Sequence, residues 1–326
     1  MLNKVFIRDT IYPPQPSGML WRRGFERRGD TVKYLPLEKK GGLKLIEESN
    51  YDPNKPTILI DFTNIINTPT HIEELVHFKS KFPNSKIFLS IYLPFDHVNF
   101  SSGPKEIDKR FYAYKDLVDG VFNTVMSFPY AEELFTKIGL KYMTIPFAMD
   151  PYYEDYIKGQ FFEEEYDIGF IGSIDEGDRF LDIWYEPFRK KQSPEGIYTA
   201  YFSGFKRYPN TSFNDTYKLF KQTKINLNPH YSHQFGIPGK KKSFKVFDFN
   251  SRTFALAGLG CFQLNNHPYM KKYFGEDIPV FDKDNFMDLF NYYLKNKDER
   301  IKISKKMQEI TLKEHRMENR IKQLLS

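Results

Sequence analysis

Cysteine is almost missing: Cys261 is the single one in 326 residues, so no disulfide can form within the chain. A lone thiol without a partner pattern is expected to be a buried packing residue, and a reducing cytoplasm fits. No run approaches the roughly 20 consecutive apolar residues that span a bilayer, and residues 1–16 lack a basic region followed by a continuous apolar stretch. The expectation is a soluble, unexported, cytoplasmic protein with no membrane span. No His/Cys cluster has zinc-site spacing, and neither Gly-x-x-x-x-Gly-Lys-Ser/Thr nor Gly-x-Gly-x-x-Gly occurs. Zinc chemistry, P-loop hydrolysis and a motif-supported dinucleotide dehydrogenase are thereby disfavoured, and no metal and no cofactor are expected. Asp282-Lys283-Asp284 resembles a carboxylate pair but reads as a solvated turn before a helix at Asn285. No repeat of solenoid period occurs, and no low-complexity segment beyond Lys240-Lys241-Lys242.

The residues that are present are enough for two cores. Hydrophobic side chains make up 40% of a chain more than twice the commonest domain size. The net charge of +6 and pI near 8.9 favour polyanionic partners such as DNA or an anionic polymer. The 48 basic and 42 acidic side chains are interspersed, so the bias is modest. Arg22, Arg23, Arg27 and Arg28 are the candidates for a polyanion surface, against the plainer reading of a solvated helix face.

Two alternating series of strands and helices run along the chain. The first has strands at 4–7, 31–35, 57–60, 87–92, 121–124 and 141–146 and helices that include 19–28 and 130–138; alternation of this kind implies a parallel sheet. The second restarts at 166–173 and continues with helix 181–190, strand 196–202, helix 212–222, strand 224–228, helix 251–259, strand 261–264, a short strand at 279–281 and terminal helices from 285. The domains are therefore expected at 1–150 and 166–310, with 151–165 as linker and 311–326 as a helix returning to the first domain.

Several segments occur in an order that carries a resemblance. They are Asp119-Gly120-Val121-Phe122; Ile145-Pro146-Phe147-Ala148-Met149-Asp150-Pro151; the strand Asp167 to Ser173; Ser212 to His230, with a strand ending in Asn-x-His; and Ser251-Arg252-Thr253-Phe254-Ala255-Leu256-Ala257-Gly258-Leu259-Gly260. From Asp119 onward this succession resembles the CgeB-like glycosyltransferases, relatives of the broad group-1 family. The resemblance implies a GT-B fold, two Rossmann-like parallel-sheet domains facing a central cleft, with a nucleotide-diphosphate sugar bound by the C-terminal domain. It also implies hexose transfer from a donor such as UDP-glucose to a hydroxyl, with acceptors ranging from a modified DNA base to an envelope polymer. The family carries acids where this chain has Ala255 and, in the wider group, Phe247. Their absence leaves Asp248 or Asn250 as substitutes, or else a noncatalytic nucleotide-sugar or sugar-binding protein derived from this fold.

A diphosphate calls for positive potential, and a helix N-terminus supplies it. Ser251 is the expected N-cap, with Arg252, Thr253 and Phe254 in the donor-binding turn, and Arg252 offers a planar fork for phosphate oxygens. Lys245 is expected as a further phosphate contact on a loop approaching that helix, whereas Lys240 and Lys241 read as solvated. Gly172 and Ser173 form a turn at the end of a first strand, where backbone N–H groups can approach phosphate. Asn228 and His230 end another strand and are donor-binding candidates, against the alternatives of a turn and an exposed histidine; Arg179 is a weaker phosphate candidate. An inverting transfer needs a base, for which Asp96 and His97 are chosen over Asp9 and Asp61; a retaining transfer stays open.

Overall fold

The computed structural model of the chain describes residues 4–9, 17–36, 56–62, 69–91, 98–99, 106–107, 109–124, 131–153, 162–172, 199–203, 213–230, 232–236, 243–247 and 249–326. Its contacts define two compact units: Met1–Pro151 with Ser232–Phe249 and Met317–Ser326, and Tyr152–Tyr231 with Asn250–Arg316.

The first unit runs β1 (Lys4–Asp9), α1 (Ser17–Arg27), β2 (Thr31–Pro36), β3 (Thr57–Asp61), α2 (Pro69–Lys81), β4 (Lys86–Ser90), the short antiparallel pair β5 (Val98–Asn99) and β6 (Glu106–Ile107), a 3-10 turn at Lys109–Tyr114, β7 (Gly120–Asn123), α3 (Ala131–Lys137) and β8 (Tyr142–Thr144). Six of these strands form a parallel sheet in the order β2-β1-β3-β4-β7-β8. The inner strands β1, β3, β4 and β7 carry unbroken apolar runs because both faces are covered. Period-two alternation sorts them: Phe6, Leu59, Ile87 and Leu89 point into one core with Leu75, Phe78 and Phe135 of α2 and α3. Val5, Ile7, Ile58, Ile60 and Phe88 point into the other, with Leu20, Trp21 and Phe25 of α1 and with Met317, Ile321 and Leu324 of the last helix, α9 (Met317–Leu325). The closeness of α1 to α9 depends on Gly24, where an added Cβ would overlap Met317 Cγ.

The hairpin β12 (Ser232–Gly236) and β13 (Ser243–Phe247), grouped by contacts with the first unit, is antiparallel, with Gln234 opposite Lys245. The expected loop at 240–245 is thereby corrected from Ser243 onward. The lysine run suggested a solvated loop, but Ser243-Phe244-Lys245-Val246 alternates polar and apolar at the period of a strand.

The second unit runs β9 (Tyr166–Gly172), β10 (Thr199–Ser203), α4 (Phe213–Gln222), β11 (Thr223–Asn228), α5 (Ser251–Gly258), β14 (Gln263–Asn265), α6 (Met270–Phe274), α7 (Phe286–Lys295) and α8 (Lys297–Glu314). Its parallel sheet has the order β10-β9-β11-β14. In place of the short strand expected at 279–281 there is a single bridge, Asn265 to Val280. Buried Tyr217 and Phe220 of α4 and Phe286 and Phe290 of α7 cover the sheet, and the Phe262 and Tyr293 rings meet at 4.6 Å. Cys261 is buried there, and burial pushes its thiol up to about 12, so it packs rather than reacts. Among the described residues no helix is long and apolar enough to cross a membrane.

Helix α5 is short, and its two ends are fixed differently from what local sequence suggests. Its N-cap is Asn250, not Ser251: Asn250 is extended (φ −70°, ψ 156°) and its side chain accepts from Thr253 N at 3.0 Å, while Ser251 is already helical. Both residues are good caps in isolation, and the backbone geometry decides between them. At the other end Gly260 takes φ 66°. Its N–H reaches Ala257 O and that of Cys261 reaches Leu256 O, both at 2.9 Å, the paired closure that a left-handed glycine permits.

Candidate functional site

In each sheet the chain moves outward in one direction and then returns to the other side of its starting strand. In the second unit this reversal lies between β9 and β11, whose carboxyl ends flank the crevice where parallel sheets bind ligands. Ile171 and Gly172 end β9, and Asn228 ends β11. Arg252, in the first turn of α5, bridges the two. Its Nε donates to Asn228 Oδ1 at 2.9 Å, its Nη1 donates to the Ile171 carbonyl, and its guanidinium lies 4.9 Å from the Phe170 ring centre. Burial lowers Arg252 to about 10, so it is charged at neutral pH. A guanidinium carries five N–H groups; these two bonds use two of them, and the remainder have no protein acceptor among the described residues. The first-turn N–H groups of α5 lack intrahelical acceptors by construction, and Asn250 takes only that of Thr253. Donors with no acceptor among the described residues therefore collect at the crevice.

Beneath Arg252 lies a buried layer of amides and imidazoles. Asn228, fully buried, donates through Nδ2 to Thr253 Oγ1 (2.9 Å) and Gln263 Oε1 (2.7 Å), and its Oδ1 accepts from Asn250 Nδ2 (3.0 Å) as well as from Arg252. All its capacity is spent on protein. His230 is also buried, its Nδ1 3.1 Å from Asn228 O and its Nε2 3.0 Å from Thr253 Oγ1. Asn266 clasps the His230 backbone from both sides, accepting from its N–H at 2.6 Å and donating to its carbonyl at 3.2 Å. His267 packs edge-on against His230 at 4.9 Å, and burial lowers its imidazole to about 4. A buried polar layer is tolerated when its members satisfy one another.

These positions sort the residues expected from sequence. Arg252, Thr253, Asn228 and His230 come together, with Gly172 at the end of the neighbouring strand, but Thr253, Asn228 and His230 form the interior layer under Arg252. The exposed-histidine alternative for His230 is thus corrected: the chain folds it under α5. Phe254 is fully buried and points into the core, 5.2 Å from the His315 ring and 6.2 Å from Phe274. Ser251 is exposed in the first turn. Lys245 lies on β13, where only its backbone is described. Asp96, His97, Ser173, Arg179, Lys240, Lys241 and Asp248 fall outside the described residues.

Asp61, one of the alternatives for a base, is fully buried in the first unit, 2.9 Å from His71 Nε2 and 3.6 Å from Arg8 Nη1. Arg8 also meets Glu74 at 2.7 Å, and His71 Nδ1 lies 2.9 Å from the Tyr114 hydroxyl. The Asp61 carboxylate oxygen is therefore already committed to protein cations and donors. The arginines of α1 and of the turn after it are paired too: Arg22 to Glu26 (2.7 Å), Arg23 to Asp150 (2.5 Å), Arg27 to Glu318 (3.3 Å) and Arg28 to Asp30 (3.5 Å). This pairing fits the plainer of the two readings given from sequence, a solvated helix face. Sequence reasoning named Asn250 only as a substitute for the missing acids, and it missed Gln263, Asn266 and His267. The run Gln263-Leu264-Asn265-Asn266-His267, polar at the mouth of a strand, was the available signal.

Residues 182–326 match the family model described as glycosyl transferase-like. The match spans β10 through α9 and contains the whole layer around Arg252. No curated protein matches the chain. Among solved structures, T4 phage BGT in complex with its UDP-glucose substrate aligns with a TM-score of 0.55 at 13% identity, covering 99% of this chain and 97% of that one. Alr3699/HepE from Anabaena, in complex with UDP and glucose, aligns with a TM-score of 0.51 at 9% identity over 99% and 98%. The fold is GT-B, mixed α/β with parallel sheets, as in these glycosyltransferases.

Proposed function

We propose that this chain is a CgeB-like glycosyltransferase that moves a hexose from a nucleotide-diphosphate sugar, UDP-glucose being the first donor to test, to an acceptor hydroxyl. The observation that carries the reading is Arg252: a charged guanidinium at the crevice of the second unit, in the first turn of α5, with N–H groups that have no acceptor among the described residues. In sugar transfer the acceptor oxygen bonds to the anomeric carbon, the bond from that carbon to the diphosphate breaks, the hydroxyl proton passes to a base or to the departing phosphate, and negative charge grows on that phosphate. Fixed donors aimed at that oxygen stabilise the transition state more than the ground state. The nucleotide sugar is a co-substrate, and the reading requires no further cofactor. The UDP and UDP-glucose named with the similar structures make uridine the nucleoside to try first.

The net charge of +6 keeps a polyanionic acceptor, a modified DNA base or an envelope polymer, among those to test, although α1 supplies no free arginine face for it. A second reading, a noncatalytic nucleotide-sugar binder, is favoured by one observation: Ala255 is buried at the position where the family carries an acid. Turnover separates the two. Incubated with UDP-glucose, a transferase is expected to release free glucose slowly to water, whereas binding without any release identifies a binder. Absence of binding by UDP, GDP, ADP and dTDP ligands at millimolar concentration refutes both.

A further inference from the structure

We propose that His230 is a positioning residue, which as a neutral imidazole with its proton on Nδ1 holds Asn228 and, through it, aims Arg252. This rests on the reading of Arg252 as a diphosphate ligand. The protonation state follows from the partners. His230 Nδ1 is 3.1 Å from the carbonyl oxygen of Asn228, which can only accept, so Nδ1 carries a hydrogen. His230 Nε2 is 3.2 Å from the backbone N–H of Asn250, which can only donate, so Nε2 is bare. One state meets both demands. An imidazolium would set an N–H against the N–H of Asn250, the residue that caps α5.

The connection to Arg252 is continuous. Thr253 Oγ1, accepting from Asn228 Nδ2 at 2.9 Å, has its own hydrogen left for His230 Nε2 at 3.0 Å or Asn250 Oδ1 at 3.2 Å. Asn250 Nδ2 donates to Asn228 Oδ1, and the remaining lone pair of that oxygen receives Arg252 Nε. With both of its amide hydrogens and both lone pairs engaged, Asn228 cannot rotate, and the angle of Arg252 is fixed with it. Burial, then His267 after β14, then Arg252 of α5 hold His230 well below the usual imidazole range, in agreement with the geometry. His230 thus does its work without touching a ligand.

The test is a double-mutant cycle on UDP-glucose affinity, read by titration calorimetry on the full chain. UDP-glucose serves because its diphosphate, esterified at both ends, keeps constant charge near neutral pH. His230→Leu removes donor and acceptor together and is expected to weaken binding about tenfold, whereas His230→Gln, with an uncharged acceptor in reach of the Asn250 N–H, is expected to recover most of it. The decisive comparison is with Arg252→Ala: adding His230→Leu to it should cost nothing more, because the histidine acts through the arginine. Independent, multiplying losses overturn the proposal, and so does unchanged affinity in His230→Leu. If the leucine variant does not fold, ring 15N spectra of the wild-type chain decide, since a hydrogen on Nε2 of His230 overturns the proposal by itself. Failure of the functional reading looks different: the wild-type chain then binds no UDP-glucose, or binds it equally well without Arg252.

Discussion

Replacing Arg252 with alanine removes a part-buried guanidinium from three contacts: the Ile171 carbonyl, Asn228 Oδ1 and the face of Phe170. The folding cost is moderate. Asn228 Oδ1 keeps its bond from Asn250 Nδ2, so the unmet groups are one lone pair of that oxygen and the Ile171 carbonyl, about 1–3 kcal/mol together at a site that water can partly reach. The binding cost is separate. Charge-assisted hydrogen bonds to phosphate contribute roughly 1.5–3 kcal/mol, so UDP-glucose affinity is expected to fall roughly tenfold to a hundredfold. Arg252→Lys should recover part of the affinity, since an ammonium keeps the charge but cannot reach the Ile171 carbonyl and Asn228 while presenting a planar fork to phosphate. Calorimetric titration and a thermal melt on the same sample separate the two effects. Unchanged affinity in a variant with a lowered melting temperature would show that Arg252 only pins the strand ends together, and the reasoning behind the donor site would be refuted.

Acid should destabilise the second unit. His230 and His267 titrate lower in the folded state than the 6.5 of a free imidazole, so below that pH the unfolded chain binds more protons and stability falls as pH falls. For His267 the window runs from 6.5 down to about 4, a loss of about 3 kcal/mol at its lower end. Among the described residues the groups against the pair include Arg252, Asn228, Asn250, Thr253, Asn265, Asn266 and Tyr269, none of them an acid. Urea melts from pH 8 to 5 should show the decline, and a flat profile would contradict it. Gly260→Ala should lower the stability of this unit by about 1–2 kcal/mol in the same assay, because alanine strains at φ 66° and its Cβ would meet Gln308 Nε2 at 3.1 Å. Gly24→Val should destabilise the first unit by about 1–3 kcal/mol by forcing α1 and α9 apart, with UDP-glucose affinity unchanged; an unaltered melting temperature would disprove the close packing.

How much was legible in the sequence can be judged element by element. The strands Val5-Phe6-Ile7, Ile58-Leu59-Ile60 and Ile87-Phe88-Leu89 were readable because a parallel strand covered on both faces must be apolar at every position, and this is a local property. Helix α5 was readable from its own composition, with Arg252 in its first turn. The hairpin β12–β13 was hidden because its charged residues outweighed a period-two pattern only a few residues long.

Asn228, His230 and Thr253 could be singled out, but the bonds that join them into a polar layer could not be read. Asn228 bonds Thr253 and Gln263, 25 and 35 positions away, and Arg252 reaches Ile171 across 81. Nothing in any of these segments specifies its partner. Arg23 looked like a free cation on a helix until Asp150, 127 residues later, was brought beside it. The sequence by itself determined which stretches alternate, which are apolar and where an arginine begins a helix, since each depends on neighbours within a few residues. Only the tertiary structure decided which polar groups face a crevice and which are spent underneath it, because a hydrogen bond depends on distance and direction in space, and the order of strands in the sheet sets both.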